Sequence, residues 1–183
     1  MRGLKILQGG FLTTIQDGGR FGYRQFGMPR AGAMDDFAFR VGNLLVGNHE
    51  STAVLEITVT GPEIEFCGDT VFAITGAPLP PLLDGQTILM WQSCLAENGQ
   101  VLSFGALGAG CRAYVAVAGG IDVPVVMGSR STYLRAAVGG FHGRKLHKGD
   151  FVPLWPLTPA AVRAVGQYYN GGLPDIPAAS YCG

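Results

Sequence analysis

Short apolar stretches recur along this chain at intervals of about ten residues, with glycine, proline, aspartate or asparagine between them. Runs this short suit strands and are too short for helices, which need ten or more residues to bury a useful face. The candidates are residues 4–7, 11–15, 53–60, 63–66, 70–75, 88–91, 101–104 and 112–117. In 53–60, Ala53, Leu55, Ile57 and Val59 share one face and Val54, Glu56, Thr58 and Thr60 the other, so Glu56 stands on the more polar face. The 29 glycines are roughly twice the usual share and form no repeat; they read as turns and bulges of a mainly β sandwich or barrel.

The period changes to helical at Asp35. Phe37, Val41, Leu44 and Leu45 lie on one face, Asp35 and Asp36 sit in the first turn, and Gly47 follows the last. A brief helical turn is expected at 132–137, with Ser131 as its cap. Residues 156–167 have weak helical content, and 168–183 are rich in Gly, Pro and Ala. One domain over 1–156 followed by a tail or linker over 157–183 is the expected organisation.

Apolar residues make up 48% of the chain and charged ones only 14%, with thirteen basic and thirteen acidic side chains cancelling. No whole-molecule field exists to draw nucleic acid or an anionic membrane, so small ligands and protein partners are expected. No run approaches the ~18–20 apolar residues of a membrane span, and residues 1–10 lack a signal-peptide core, which points to the cytoplasm. Cys67, Cys94, Cys111 and Cys182 form no C-x-x-C pair and have no His at ligand spacing. Reduced thiols and no metal follow.

Two segments carry candidate chemistry. In 128–150, Gly128-Ser129-Arg130-Ser131-Thr132 precedes Gly139-Gly140, Gly143-Arg144 and Gly149-Asp150. Glycines let backbone donors come close, Arg130 and Arg144 can fork onto paired oxygens, and Ser129, Ser131 and Thr132 can hydrogen-bond a substrate. The competing reading is a set of turns braced by arginine. In 16–35, Gln16, Asp17, Arg20 and Asp35 could orient a small polar substrate; alternatively Asp17 and Arg20 pair to hold the loop and Asp35 caps the helix. A nucleophilic serine with His142 or His147 as base is disfavoured, since no G-x-S-x-G elbow is present. His49, His142 and His147 read as exposed or locally bonded. There is no G-x-x-x-x-G-K-[ST] and no G-x-G-x-x-G after a strand. None of Lys5, Lys145 and Lys148 lies in an Ala-Met-Lys-Met context, so no biotin-attachment site is present.

An ordered set of short motifs spans about residues 3 to 155. It comprises Gln16-Asp17-x-Gly-Arg20-x-Gly22, Gly27-x-Pro29-x-x-Gly32-Ala33-Met34-Asp35, Asn43-Leu44-Leu45-Val46-Gly47-Asn48, Leu55-Glu56, Gly61-Pro62, Thr75-Gly76-Ala77, Arg112-Ala113-Tyr114-x-Ala116-x-Ala118-Gly119-Gly120-Ile121 and the two clusters of 128–150. In this order they resemble the biotin-dependent carboxyltransferase family. That group includes the C component of 5-oxoprolinase, also called KipI antagonist or the second allophanate hydrolase subunit, and the carboxyltransferase region of urea carboxylase. The resemblance implies a cyclophilin-like β-barrel with one clear helix. It implies partnership with the KipI-like B component and the A component of 5-oxoprolinase, ATP supplied through that complex, and opening of the 5-oxoproline lactam to glutamate. On the carboxyltransferase branch it implies carboxybiotin and a urea-like acceptor. Under it, Arg130, Arg144 and Asp17 are the catalytic candidates, and Gln16, Arg20, Asp35, Glu56, Ser129, Ser131 and Thr132 the substrate-binding ones. Two other readings remain: a regulatory module that binds a KipI-like kinase inhibitor without chemistry, possible also as a homo-oligomer, and, by fold analogy alone, a prolyl isomerase. The sequence departs from the family in stopping about where a second related half is expected, and in carrying Ala31 where many relatives have Ser.

Overall fold

In the computed structural model the described residues are 1–106, 108–157, 159 and 162. Eleven strands form two antiparallel sheets. Strands β1 (Gly3–Gln8), β4 (Glu63–Cys67), β6 (Pro81–Leu83), β7 (Gln86–Thr87), β9 (Val101–Phe104) and β11 (Phe151–Pro153) make a six-stranded sheet in the order β11-β1-β4-β9-β6-β7. Strands β2 (Leu12–Gln16), β3 (Val54–Thr58), β5 (Thr70–Gly76), β8 (Ser93–Ala96) and β10 (Arg112–Val117) make a five-stranded sheet in the order β2-β3-β10-β5-β8. Among the described residues the fold is mainly β with one full α-helix, as expected, although the two ladders remain separate and do not close into a continuous ring.

The alternation in each strand explains the packing. Leu4, Ile6, Ile64, Phe66 and Leu102 from the first sheet meet Ile15, Leu55, Ile57, Phe72, Ile74, Val115 and Val117 from the second in one apolar core. The Phe66 and Phe72 rings lie 5.0 Å apart at its centre. The outer face of the five-stranded sheet is buried too, because helix α1 (Asp36–Leu45) lies across β5 and β10 and packs on Val54, Val71, Ala73, Tyr114 and Ala116. Strand β3 is therefore buried at every position, and the polar face expected for it holds only Glu56 and Thr58.

Several local expectations are corrected. Helix α1 buries Ala38, Phe39, Gly42 and Asn43; Phe37 is exposed and packs near Trp91 instead. Residues 88–91 are not a strand: Trp91 takes a positive φ and donates its N–H to the Ile74 carbonyl, which turns the chain into β8. Ser131 does not cap the turn near 132–137. The one-turn helix there spans Leu134–Ala136 behind Tyr133, with no side-chain cap, because the Ser131 hydroxyl is used elsewhere. Cys67, Cys94 and Cys111 are unpaired, and Cys182 lies outside the described residues. The tail or linker expected over 157–183 lies almost wholly outside them as well. No helix among the described residues is long and apolar enough to cross a membrane.

Candidate functional site

Strand β2 ends at Gln16, and the next residue is the hub of a hydrogen-bonded knot. Asp17 Oδ1 accepts from Gly19 N at 2.8 Å, Ser129 Oγ at 2.6 Å and Ser131 Oγ at 2.5 Å, while Oδ2 accepts from Arg130 N at 2.5 Å. Ser131 Oγ also accepts the Asp17 N–H at 2.9 Å, and Ser129 Oγ accepts the Ser131 N–H at 2.9 Å. A buried carboxylate satisfied this fully by neutral donors is a stable way to fasten two distant loops. Arg20, only 1% exposed, donates Nε to the Val126 carbonyl at 3.1 Å and Nη2 to the Ser131 carbonyl. Asp17 and Arg20 thus grip the same 126–131 segment without hydrogen-bonding to each other. Gly139 and Gly140, both at positive φ, close over it. A Cβ on Gly139 would overlap Arg20 and the Ser131 carbonyl, and one on Gly140 would overlap Thr132, so this approach requires glycine.

Next to the knot along both chain segments lies a groove of about 240 Å³ on the outer face of the five-stranded sheet, lined by Thr14, Gln16, Gly32, Glu56, Thr132 and Arg135 among others. Antiparallel register places Thr14 opposite Glu56, and Glu56 opposite Tyr114, in a row across β2, β3 and β10. Tyr114 donates its hydroxyl to Glu56 Oε2 at 2.9 Å and accepts the Asp35 N–H at 2.8 Å; Met34 N also donates to Glu56 Oε2, at 2.8 Å. Burial, reinforced by the Glu56 charge, pushes the Tyr114 phenol far above its ordinary range, so it remains a donor. Glu56 Oε1 has only a long contact, 3.6 Å, from Arg112 Nε. Gln16 Nε2 donates to Thr14 Oγ1 at 3.0 Å and to the Thr132 carbonyl at 3.2 Å, and the Thr132 hydroxyl donates to the Ile15 carbonyl at 2.9 Å. Gln16 is 7% exposed, yet its Oε1 has no hydrogen-bond partner among the described residues. An unpaired buried acceptor is costly and rare, and here it belongs to a residue that lines the groove.

Gln16, Glu56 and Thr132 therefore meet at the groove, while Asp17, Arg20, Ser129 and Ser131 form the knot behind it. Asp35 caps α1 by accepting from Ala38 N at 3.0 Å, and its own N–H binds Tyr114. Arg130 does not line the groove: its Nε donates to the Val123 carbonyl at 3.0 Å. Arg144 stands apart, forked onto Asp150 at 2.7 and 2.8 Å and lying 5.3 Å from the Phe141 ring. The Arg144 guanidinium in turn holds the Asp150 carboxyl below its ordinary range. His49 bonds locally to Ser51. A larger hollow of about 480 Å³, bordered by Asp122, Phe141 and His142, includes Gly139, Gly140 and Gly143 but none of the candidate catalytic or substrate-binding side chains. Among the described residues no three His, Cys, Asp or Glu side chains converge to hold a metal. Sequence reasoning did not single out Thr14, Tyr114 or Arg135 as site residues. Tyr114 was within reach, since strand alternation places it on the same face of β10 as Arg112, but only the register brings it against Glu56.

Comparison with known proteins agrees with this architecture. The family described as carboxyltransferase domain, subdomain A and B, matches residues 26–177. The chain is 46% identical over 163 residues to the C component of 5-oxoprolinase from Escherichia coli, covering 89% of this chain and 53% of that protein. It is also 46% identical over 153 residues to urea amidolyase of Saccharomyces cerevisiae, covering 82% of this chain and 8% of that protein. The crystal structure of Kluyveromyces lactis urea carboxylase superposes with a TM-score of 0.81 at 40% identity, over 83% of this chain and 14% of that one. The chain thus spans about half the length of the bacterial relative and a small part of the fungal ones. With a family match over most of its length and a shared fold at 40% identity, the chain belongs to the carboxyltransferase domain family, subdomain A and B.

Proposed function

We propose that this chain supplies one wall of the substrate site of an enzyme that acts on a small planar amide or urea. The first reading is a component of an ATP-dependent 5-oxoprolinase-type amidohydrolase, working with the A component and the KipI-like B component of such a complex. The related reading is biotin-dependent carboxyl transfer to a urea-like acceptor. The observation that carries the proposal is Gln16 Oε1, a buried acceptor without a partner beside a groove that Glu56 also lines. A lactam or urea nitrogen carries N–H groups in the plane of its carbonyl, and these can donate to Gln16 Oε1 and to the lightly engaged Glu56 Oε1. Tyr114 holds Glu56 in place for that role. Arg135 at the groove's rim supplies the cation for charge that develops on the carbonyl oxygen. Arg144 and Asp17 act in this scheme by shaping the two loops, since Asp150 and the Asp17 knot engage them, and Arg130 is tied by its N–H to Asp17 and by Nε to the Val123 carbonyl, away from the groove.

The test is ATP-dependent hydrolysis of 5-oxoproline in an assembly with the A and B components, beside transfer from carboxybiotin to urea. Gln16→Leu is expected to lower kcat/KM for the accepted substrate about tenfold or more, the cost of one lost hydrogen bond in a site built for it. Turnover of neither substrate by the complete assembly, or an unchanged kcat/KM in Gln16→Leu, overturns the proposal. Capture of a KipI-like protein without any turnover assigns the chain a regulatory role instead.

A further inference from the structure

The loop that leads from the Asp17 knot to helix α1 borders a second hollow, of about 320 Å³, lined by Arg20, Phe21, Gly22, Arg24 and Arg30. Three arginines line it and no acidic residue does. The five ion pairs found among the described residues occupy Lys5, Arg40, Arg112 and Arg144, and none includes these three arginines. Asp17 is the near acid, but both its oxygens are filled by Gly19, Ser129, Ser131 and Arg130. Arg20 is the unusual member. Among the described residues it is 1% exposed, bonds only to neutral carbonyls, and leaves Nη1 buried with no hydrogen-bond partner. Burial pulls its pKa down, against the opposing field of Asp17. Buried charges are normally paired; Asp17 offsets part of this one through its field but makes no hydrogen bond to it, which leaves Nη1 without an anion to bond.

Its neighbours are arranged to share one. Arg30 donates Nε and Nη2 to the Gly18 carbonyl at 3.1 and 3.0 Å and lies 4.5 Å over the Phe21 ring, which holds the planar fork in place. Arg24 is exposed and makes no ion pair or side-chain hydrogen bond among the described residues. Phe21, 67% exposed, offers an apolar wall beside the charges. Solvated surface arginines repel one another, so two of them beside a buried third whose Nη1 is unbonded raise the positive potential of the hollow.

We infer that the hollow bounded by Arg20, Arg24 and Arg30 is a binding site for a small organic oxyanion, a carboxylate or a phosphate group. Planar forks suit both, because each presents paired oxygens at similar spacing. The site stands independently of the amide groove, which shares only the neighbouring loop.

The test is calorimetric titration of the 183-residue chain with inorganic phosphate and, separately, with malonate, at ionic strength held constant with sodium chloride. At least one anion is expected to bind saturably, with Arg24→Glu weakening it tenfold or more and the neutral Arg24→Gln weakening it less. Arg24 has no protein partner to lose, so the unliganded melting temperature is expected to stay unchanged in both variants. Binding by phosphate alone assigns a phosphate group, by malonate alone a carboxylate, and by both the shared fork chemistry. Saturable binding of neither anion, or wild-type affinity in Arg24→Glu, overturns the inference.

Discussion

Asp17 shows how a single side chain can decide the geometry of a site without touching a ligand. Its carboxylate gathers four donors from two loops more than one hundred residues apart in the chain. Replacing it by Asn removes the charge and turns one acceptor into a donor facing hydroxyls and N–H groups. Asp17→Asn is expected to cost about 2–4 kcal/mol in urea unfolding, and an unchanged midpoint would show that the knot is not fastened there. Tyr114 acts similarly on Glu56: Tyr114→Phe is expected to cost about 1–3 kcal/mol. Burial first, then the Glu56 charge, raises the phenol's folded pKa above its ordinary value of 10.0. Its contribution is therefore complete below pH 10 and falls as the pH rises beyond it, so the alkaline limb of the stability profile should be steeper in the wild type than in Tyr114→Phe. Asp150 runs the opposite way. Arg144 lowers its folded pKa below 3.8, so its contribution is complete above that pH and is lost as the pH falls through the lowered folded value. Asp150→Asn should flatten the acid limb between those values, measured as melting temperature against pH. The residue types at these positions were legible as candidates; their partners were not, because a hydrogen bond across more than one hundred residues leaves no local trace.

Helix α1 was the easiest element to read, and its buried face was misread. Counting large apolar residues selects Phe37, Val41, Leu44 and Leu45, of which only Leu45 packs against the sheet-side cluster; Ala38, Phe39 and Gly42 meet the sheet, and Asn43 is buried against the Glu50 and Thr52 carbonyls. Small residues win because the helix sits close to β5 and β10: Thr75 reaches up to donate to the Ala38 carbonyl at 2.7 Å. A Cβ at Gly42 would lie 3.0 Å from Thr75 Oγ1 and 3.5 Å from Ala116 Cβ. Gly42→Val is therefore expected to destabilise the fold by about 1–3 kcal/mol through overpacking, although it removes a helix-interior glycine. A rise in melting temperature would show that α1 can lift away freely. Strands were located well where alternation was strong, as in β3, β5 and β10. Short strands such as β6 and β7 have too few residues to show a period.

Across the whole molecule, both sheets contribute to one core, and its centre is the Phe66 and Phe72 pair. Phe66→Ala is expected to cost about 3–5 kcal/mol, with tryptophan fluorescence and far-ultraviolet circular dichroism shifting to the same new midpoint; separate midpoints would mean that the sheets unfold independently. A mainly β class, one helix beginning near Asp35 and the chemical identity of the two candidate segments are local properties, written in the spacing of apolar residues and in the side chains themselves. The grouping of those side chains is not local. Register sets Thr14, Glu56 and Tyr114 in a row, the long closure from β2 to residues 126–131 fastens Asp17 and Arg20 beside the groove, and Arg144 is drawn off to Asp150. Each of these depends on contacts between segments far apart in the chain, whose energies appear only once the sheets have packed.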